Sequence, residues 1–477
     1  MFEHRGVVEG FYGEPWSHAD RLWLLERMGR WGMNRYVYAP KDDPFHRARW
    51  REPHPAEVER ELGELVAHGR SAGVDVGFAI SPGLSIEYGS SDDRRALRAK
   101  LEGYAALGAR VLVLAVDDVP SELASPADRE RYASLAEAHV DVVHALRAQL
   151  DPGIELWLVP TDYLGTGSTP YLDVLGSRLA PEIEVMWTGR TVLSPTLEAA
   201  EAASRATALR RRVLVWDNYP VSDGPMRNML HLGPYAGRSA ALASHVSGCL
   251  LNPMQHVRAS ALALCTAAEF LRDPAGYDPE AAWQRALREL GGDAADALEL
   301  FARAHRVSPL APEDRDRELE TSMARFSDAL AAGEDLAPLL DPLRSQLDAR
   351  LAAPAKLRAG LGDARLLAEL EPWLAGHEVE TRRMHEALVA LTVLLGPGSA
   401  ADKVAAFSRM EGRLTRLCPP LASSYGPRRV LYPQLIDMTA RGMRFGSDPS
   451  LLRGRNLADE WIELVEDLAL WILVEPP

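Results

Sequence analysis

Short apolar runs alternate with amphipathic helical stretches over roughly the first 270 residues of the chain. The runs are apolar throughout, as expected of parallel strands that are covered on both faces. We predict eight strands: Arg5–Tyr12, Arg35–Pro40, Val74–Pro82, Arg110–Val119, Glu155–Tyr163, Ile183–Gly189, Arg212–Tyr219 and Ser247–Met254. Eight such strand–helix units predict an α/β fold, a (β/α)8 TIM barrel. A doubly wound sheet is the alternative, but no Gly-rich phosphate loop accompanies these strands.

The segments between these strands have the spacing and the start signals of helices. The early helices are predicted at His18–Trp31, Pro55–Ala72 and Asp92–Leu107. Ser125 is the predicted N-cap of the helix after the fourth strand, with Pro126 at its first position. The remaining helices are expected to begin near Pro170, Pro195, Gly237 and His256.

The pattern changes after about residue 272, where segments rich in Leu, Ala, Arg and Glu replace the strand-like runs. Their apolar spacing predicts a bundle of helices, with loops at Gly396–Ala400 and Cys418–Arg429. The helical segments are Ala282–Leu290, Ala294–Ala304, Glu318–Ala332, Leu336–Ala352, Ala364–Leu394 and Lys403–Leu417. The sequence therefore predicts a catalytic barrel domain over residues 1–272 and a helical-bundle domain over residues 273–477.

Charge and cysteine content narrow the range of partners and compartments. A formal net charge of −15 argues against binding to nucleic acid or to an acidic membrane surface. Three cysteines, Cys249, Cys265 and Cys418, are too few for a disulfide framework and fit a reducing compartment. With no signal peptide or long apolar span recognised, a cytoplasmic location is expected. Leu/Ala-rich faces around Leu366–Leu394 suggest a homodimer through the helical domain.

Polar, aromatic and carboxylate residues gather at the predicted carboxyl ends of the strands, where barrel enzymes carry their chemistry. These ends are Glu9–Tyr12, Lys41–Asp43, Ser81–Gly83, Asp117–Asp118, Thr161–Tyr163, Trp187–Gly189, Trp216–Asn218 and Asn252–Pro253. The chain contains neither an HExxH pair nor a CxxC pair, so no metal and no cofactor are predicted. Carboxylates, amides, a lysine and aromatic platforms are the usual groups for binding a sugar.

Asp117 and Asp118 follow six apolar residues, Val111 to Val116. Adjacent carboxylates repel each other, so one of them is expected to hold a proton and to act as an acid toward a glycosidic oxygen. A pair of aspartates can also cap a helix or lie in a solvated loop, and the residues alone favour the two interpretations about equally. If catalytic, adjacent carboxylates suit a division in which one is the acid/base and the other orients an N-acetyl group that attacks the anomeric carbon.

Eight segments resemble glycoside hydrolase family 84, which includes the O-GlcNAcases and bacterial β-N-acetylglucosaminidases, some of them labelled hyaluronidases. The segments occur in the order of the family and span Gly6 to Asn252, the whole predicted barrel. They are Gly6–Trp16, Tyr36–Arg47, Ala79–Ile86, Val116–Val119, Pro160–Thr166, Val185–Gly189, Val215–Asp223 and Leu232–Ser239. The helical region is similar to the family only in its position and type.

This resemblance implies roles for the catalytic residues. Asp118 is expected to be the general acid and then the base that activates water. Asp117 is expected to hold the acetamido N–H and to stabilise an oxazoline intermediate. The implied role of Tyr163 is a hydrogen bond to the acetamido oxygen as it attacks, and Asn218 is expected to help place the acetamide and Asp117.

The resemblance also implies a sugar-binding set around the catalytic residues. Gly10, through its backbone, and the side chains of Lys41, Asp223 and Asn252 are expected to bind sugar hydroxyls. Trp216 is expected to form an apolar wall. The substrate-binding residues predicted in this way are Gly10, Lys41, Trp216, Asp217, Asn218, Asp223 and Asn252.

The implied function is a retaining β-N-acetylglucosaminidase that removes terminal β-linked GlcNAc by substrate-assisted catalysis. Its predicted partner is a GlcNAc-bearing glycoprotein, modified on Ser or Thr, or another glycoside. One alternative is hydrolysis of a GlcNAc-containing polysaccharide such as hyaluronan or a cell-wall fragment. The other is a non-catalytic GlcNAc-binding module, a role that does not require an intact Asp117–Asp118 pair.

Overall fold

The computed structural model describes residues 1–417, 422, 424–426, 433–439, 442–447 and 456–474. These residues form two compact units. The barrel unit comprises Met1–Gly224, Tyr235–Ala282 and a two-stranded hairpin late in the chain, and the helical unit comprises Pro225–Pro234 with the other described residues from Trp283 onward. The predicted boundary between residues 272 and 273 stays a prediction, and no sequence pattern indicated that Pro225–Pro234 belongs with the helices.

Eight parallel strands close into a barrel in which each strand pairs with the next one along the chain and β8 pairs with β1. The strands are β1 His4–Glu9, β2 Arg35–Tyr38, β3 Asp75–Ile80, β4 Val111–Ala115, β5 Glu155–Val159, β6 Glu184–Trp187, β7 Val213–Asp217 and β8 Val246–Leu251. The predicted (β/α)8 barrel is confirmed. All residues of β4, β7 and β8 are buried, which explains why these runs are apolar without alternation.

Helices connect most of these strands along the chain. They are α1 His18–Trp31, α2 Ala56–Ala72, α3 Ser91–Ala106, α4 Pro126–Arg131, α5 Leu135–Arg147, α6 Pro170–Arg178, α7 Ala199–Leu209 and α8 Val257–Arg272. Helix α1 has the bounds that the sequence predicts, because both ends carry clear signals. The Ser17 side chain accepts from the Asp20 N–H at the start, and Gly32 adopts a left-handed φ of 81° at the end.

Two expected helix starts differ from the structure. The helix predicted near Pro195 begins at Ala199, and the one predicted near Gly237 is replaced by a short 3-10 turn, Ala240–Ser244. Gly237 has a φ of 78°, and its carbonyl accepts a hydrogen bond from the Leu197 N–H. The backbone around Gly237 is therefore engaged in pairing with Leu197, which excludes a helix at this point.

Side chains from all parts of the sheet fill the barrel interior. This core includes Val8, Val37, Ala39, Ala79, Val113, Trp157, Met186, Leu214 and Leu250, together with Tyr163 and Trp216. Tyr163 and Trp216 lie at or just beyond the carboxyl ends of β5 and β7. Packing against the core therefore fixes two residues of the predicted site.

The helical unit has its own apolar core, built mainly from Leu and Ala side chains together with Met, Phe and Trp. The helices in this part of the chain are α9 Pro279–Gly291, α10 Ala295–Arg303, α11 Arg317–Ala332, α12 Ala337–Gly360, α13 Ala364–Leu395, α14 Ala400–Arg416 and α15 Leu457–Val474. The helical character predicted after residue 272 is confirmed for these elements. Most of the predicted loop Cys418–Arg429, including Cys418, lies outside the described residues.

A β-hairpin departs from the all-helical expectation for this region. Strands β9 Pro433–Thr439 and β10 Gly442–Ser447 pair antiparallel. The sequence analysis gave no strand signal here, and the hairpin groups with the barrel unit. In the described part of the chain, none of the helices combines the length and the apolar character needed to cross a membrane.

The segment Pro225–Pro234, which follows β7 in the chain, is bound within the helical unit by main-chain hydrogen bonds. The Leu232 N–H donates to the His305 carbonyl at 3.0 Å. Two indole N–H groups also bind the segment, Trp283 to the Leu232 carbonyl at 2.7 Å and Trp373 to the Asn228 carbonyl at 3.0 Å. Apolar side chains of the segment, including those of Met229 and Leu230, are buried.

Candidate active site

The Asp117–Asp118 pair follows β4 after a single residue, Val116, and each aspartate is only 7% exposed. Asp118 has a φ of 51°, a left-handed conformation that is uncommon for a residue with a side chain. The two carboxylates nevertheless approach one ammonium group, since Lys41 Nζ lies 2.5 Å from Asp117 Oδ2 and 3.9 Å from Asp118 Oδ2. The end of β4 therefore presents two carboxylates within one small polar cluster.

Lys41 follows β2 and is buried against this pair. Burial alone would lower the pKa of its ammonium, but the charges of Asp117 and Asp118 outweigh it and raise that pKa. The amine thus stays protonated and holds Asp117 through Oδ2. The other oxygen, Asp117 Oδ1, is buried without a hydrogen-bond partner. The sequence places Lys41 on sugar hydroxyls, which stays a prediction, while the structure brings its ammonium to Asp117.

Two tyrosine hydroxyls donate to the carboxylate of Asp118. Tyr163 reaches Oδ1 at 3.0 Å and Tyr12 reaches Oδ2 at 2.7 Å. Burial raises the pKa of both phenols, and the nearby Asp118 carboxylate raises it further, so both remain protonated donors. The sequence analysis singled out Tyr163 but not Tyr12, although Tyr12 lies inside the Gly6–Trp16 segment that carries the resemblance.

Asn218 and Asn252 form a hydrogen-bonded amide pair across β7 and β8. Asn252 Nδ2 donates to Asn218 Oδ1 at 2.9 Å, and the indole N–H of Trp216 donates to the same oxygen at 2.9 Å. Asn218 Nδ2 donates to the Val192 carbonyl at 2.8 Å, and Asn252 Oδ1 accepts from the Gly10 N–H at 3.2 Å. These predicted substrate-binding residues are therefore brought together and held in one orientation.

Gly10 packs against the indole ring of Trp216. A Cβ atom added at Gly10 would lie 2.2 Å from Cζ2 of the indole, which is far inside contact distance. The Lys41 ammonium is 5.9 Å from the centre of the same indole. A residue with a side chain at position 10 would displace the Trp216 wall, so the close approach explains the requirement for glycine here.

Asp217 and Asp223, both predicted to bind substrate, have different surroundings. Arg238 donates to both carboxylate oxygens of Asp217, at 2.6 and 2.8 Å, and the Tyr235 hydroxyl donates at 2.6 Å. Because its oxygens are already engaged, the geometry favours a supporting role for Asp217 over contact with a sugar. Asp223 Oδ2 accepts from the Tyr12 N–H at 2.8 Å, and burial and then the charge of Asp118 raise the pKa of Asp223.

The sequence analysis also did not identify the role of Arg47, the last residue of the Tyr36–Arg47 segment. Arg47 Nη1 donates to the Tyr12 hydroxyl at 2.9 Å, and Nη2 donates to the main-chain carbonyl of Asp118 at 3.4 Å. Of the neighbouring aspartates, Asp42 accepts from the Gly13 N–H at 2.9 Å, and Asp43 accepts from the Tyr38 hydroxyl at 2.8 Å. Within the described residues, no group of three or more His, Cys, Asp or Glu side chains is arranged to hold a metal ion.

This arrangement can perform acid–base chemistry beside a group that carries an N–H. Asp118 has hydroxyl donors on both carboxylate oxygens, and Asp117 combines a lysine-bound oxygen with an unpartnered one. A buried acceptor without a partner costs free energy, on the order of 1–3 kcal/mol, unless a ligand supplies a donor. The unpartnered oxygen therefore marks where a donor of a bound molecule would be stabilised.

Comparison with known proteins identifies similar chains. A family profile described as beta-N-acetylglucosaminidase matches residues 5–303. Protein O-GlcNAcase of Rattus norvegicus and of Mus musculus are each 35% identical over 273 residues, 56% of this chain but only 30% of theirs. A solved O-GlcNAc hydrolase of Thermobaculum terrenum aligns with a TM-score of 0.84 at 29% identity, over 100% of this chain and 97% of that one. The structure of CpGH84B aligns at 0.82 and 26% identity, over 97% and 77%.

Proposed function

The chain belongs to the beta-N-acetylglucosaminidase family, and we propose that it hydrolyses terminal β-linked GlcNAc with retention by substrate-assisted catalysis. The observation that carries this proposal is the unpartnered oxygen of Asp117 beside the doubly hydrogen-bonded carboxylate of Asp118. An acetamido group offers an N–H for Asp117, and its carbonyl oxygen is a nucleophile that the substrate itself supplies. No second carboxylate on another strand is then required as the nucleophile.

In the first step, Asp118 donates its proton to the glycosidic oxygen as the bond to the anomeric carbon breaks. The acetamido carbonyl oxygen forms a bond to the same carbon and closes an oxazoline ring. Asp117 accepts the acetamido N–H through Oδ1, and its charge, held by Lys41, stabilises the positive charge that develops on the ring. Tyr163 transfers its hydrogen bond from Asp118 to the acetamido oxygen and orients the attack.

In the second step, Asp118 acts as the base. It takes a proton from a water molecule whose oxygen attacks the anomeric carbon, and the oxazoline carbon–oxygen bond breaks to restore the acetamide. Two inversions at the anomeric carbon give overall retention. Asp118 ends the cycle protonated, ready for the next glycosidic oxygen. The Trp216 and Gly10 wall and the Asn218–Asn252 pair hold the sugar in place during both steps.

We further propose that the glycoside is carried by Ser or Thr of a protein. The names of the rat, mouse and Thermobaculum terrenum relatives support this substrate class, although the chain spans about a third of the rodent proteins. A cytoplasmic location is part of the same proposal, supported by Cys249 and Cys265, two buried thiols that form no disulfide within the described residues. The homodimer stays a prediction with weaker support, because Leu366, Leu388 and Leu391 are buried inside the helical unit itself.

The test is hydrolysis of a fluorogenic β-GlcNAc glycoside by the wild type and by Asp118→Asn, with GlcNAc-thiazoline as inhibitor. We expect the wild type to turn over, the thiazoline to inhibit it, and the variant to lose about 10²- to 10⁴-fold in kcat, because the attack of water in the second step needs Asp118 as base whatever the leaving group. Asp141→Asn is the matched control, since Asp141 also accepts from a tyrosine hydroxyl but lies on α5 with its side chain 43% exposed. A folded wild type that binds the thiazoline but does not turn over would favour the GlcNAc-binding alternative.

A further inference from the structure

Arg47 donates two hydrogen bonds that connect it to the acid/base residue Asp118, one through Tyr12 and one directly. Its Nη1 donates to the Tyr12 hydroxyl at 2.9 Å, and that hydroxyl donates to Asp118 Oδ2 at 2.7 Å. Its Nη2 donates to the Asp118 main-chain oxygen at 3.4 Å. The same guanidinium therefore contacts the main chain of Asp118 directly and its side chain through one phenol.

The first of these contacts determines the direction of the Tyr12 hydroxyl proton. A phenol has one proton to donate, and its oxygen can accept from other donors. Because Arg47 has no acceptor, the Arg47–Tyr12 contact uses a lone pair of the phenol and directs its proton toward Asp118. The guanidinium charge also polarises the hydroxyl, which strengthens the hydrogen bond to the carboxylate.

The second contact lies at the strained part of the backbone. Asp118 is held with a φ of 51°, which costs on the order of 1–3 kcal/mol and persists only where surrounding contacts hold it. The main chain of Tyr12 is held as well, since its N–H donates to Asp223 at 2.8 Å. Both groups that Arg47 connects are therefore fixed at their backbones, and Arg47 links them to each other.

The Arg47 guanidinium stays charged over the whole pH range of an enzyme assay. Burial lowers the pKa of its guanidinium, but Tyr12 and the carboxylates of Asp117 and Asp118 outweigh this effect and raise it. The Nε of Arg47 is buried and has no hydrogen-bond partner. The bonds that the side chain does make point to Tyr12 and Asp118, the groups of the acid/base step.

We propose that Arg47 is a positioning residue for the acid/base step, acting through Tyr12 and through the main chain of Asp118. This inference rests on the proposed function, because it assigns Arg47 to the step in which Asp118 transfers its proton. Arg47 does not touch the reacting atoms. It sets the direction of the Asp118 carboxyl, and the quality of proton transfer to the leaving oxygen depends on that direction.

A positioning role for the acid has a kinetic signature that a general loss of stability does not produce. A 4-methylumbelliferyl leaving group departs as a stabilised phenolate and needs little protonation. An alkyl or seryl leaving group needs a full proton from Asp118. Misalignment of Asp118 therefore slows the seryl glycoside much more than the 4-methylumbelliferyl glycoside.

The experiment measures kcat and KM of Arg47→Met on both substrates, with the thiazoline inhibition constant and the melting temperature of each protein. We expect kcat for the seryl glycoside to fall about tenfold more than for the 4-methylumbelliferyl glycoside, the size expected for a charged hydrogen bond. Thiazoline binding stays within about twofold of the wild type, because the acetamide contacts are left in place. Arg47→Lys, which keeps the charge and one donor, recovers part of the loss.

Tyr12→Phe and the double variant determine whether Arg47 acts through the phenol. We expect the double variant to lose clearly less than the product of the two single losses, because both substitutions break the same chain of hydrogen bonds. Arg94→Met is the matched control. Arg94 also donates to a tyrosine hydroxyl, that of Tyr132 at 2.7 Å, and to a main-chain carbonyl, that of Tyr88 at 2.6 Å, but it lies on α3 away from the strand ends.

Equal losses on the two substrates in Arg47→Met, or fully independent effects of the Arg47 and Tyr12 variants, would overturn the positioning role. In that case the wild type and Asp118→Asn still behave as the proposed function requires, so only this inference fails. A wild type that is inert on both glycosides would overturn the proposed function and the inference together. A leaving-group dependence in Arg94→Met as large as that of Arg47→Met would also contradict it.

Discussion

The two ends of the barrel carry charged residues in different ways. At the amino ends of the strands, Arg35 begins β2 and pairs with Asp75 and Glu155, which begin β3 and β5. Those two carboxylate side chains are 44% and 41% exposed. At the carboxyl ends, Asp117 and Asp118 are almost fully buried, and one oxygen of Asp117 has no partner.

This difference shows where the fold accepts an energetic cost. Ion pairs at the amino end, in which Arg35 is largely buried but both carboxylates are half exposed, are cheap to form and contribute modestly to stability. Buried, closely spaced carboxylates with a left-handed backbone at Asp118 are expensive, and such costs are found where function requires them. Substitutions at the carboxyl end are therefore expected to change turnover, and substitutions at the amino end are expected to change stability.

The largest expected effect beyond the acid/base variants is that of Tyr163→Phe. The phenol hydroxyl binds Asp118 and, as proposed, the attacking acetamido oxygen, so its loss lowers kcat about 10- to 100-fold. The ring remains to pack in the barrel core, so the melting temperature changes little. Steady-state kinetics and thermal unfolding of the same preparation check both statements. Unchanged kinetics would remove Tyr163 from the mechanism.

Arg35→Met tests the amino end. We expect a loss of about 1 kcal/mol in the free energy of unfolding, because the pair partners are half exposed and solvent already screens them. The kcat of the folded protein stays unchanged. Arg212→Met is the control at the same end, since the Arg212–Glu3 pair is exposed on both sides and contributes less. A large fall in kcat for Arg35→Met at full folding would break the contrast between the two ends.

The smallest expected effect concerns Glu184, the first residue of β6, whose carboxylate accepts from the Ser247 hydroxyl. Burial raises the pKa of Glu184 above its ordinary 4.5, so the folded state binds the proton more tightly than the unfolded state. The free energy of unfolding therefore falls as pH rises from about 4.5 through the raised pKa of the folded state. Above that folded-state pKa the contribution of the bound proton to stability is fully lost.

Glu184→Gln removes this charge while keeping an acceptor for Ser247. Near pH 7 the free energy of unfolding of the variant is expected to exceed that of the wild type by less than about 1 kcal/mol, so the variant unfolds at a slightly higher denaturant concentration. Below about pH 4 this difference is expected to disappear. Denaturant titrations at the two pH values provide the measurement. A variant that is less stable than the wild type near pH 7 would show that the ionised carboxylate is favourable in the folded chain.

The sequence predicted the barrel well because burial on both faces leaves a strong apolar signal in each strand. It failed at Gly237, where main-chain pairing with Leu197 replaces a helix, and at the β9–β10 hairpin, where no apolar alternation marked the strands. The pairing of Gly237 with Leu197 joins distant segments and leaves no local signal, whereas β9 and β10 are neighbours in the chain and were missed because their residues carry no apolar alternation. The continuous apolar runs Val111–Val116 and Val213–Trp216 can be recognised as strands from the local sequence alone.

For the candidate active site, the segments that resemble the family indicated most of the catalytic residues, and the structure showed the hydrogen bonds between them. Asp117, Asp118 and Tyr163 lie together, yet nothing in the sequence indicated that Tyr12 and Arg47 would converge on Asp118 from other segments. The left-handed backbone of Asp118 was equally hidden, because few residues other than glycine adopt it and no local pattern marks those that do. Asp217 was predicted to bind substrate from its place in a segment, and only Arg238 and Tyr235 reveal its engagement within the protein.

The segment Pro225–Pro234 has a consequence for the order of events during synthesis. It leaves the ribosome before Trp283 and well before Trp373, whose indole groups later bind its carbonyls. At about 5–20 residues per second, the segment waits on the order of ten seconds for the last of these partners. During that interval the Asn228 carbonyl lacks the indole donor that it has in the finished chain. The connection between the seventh and eighth strands is thus completed only after all eight strands of the barrel have been synthesised.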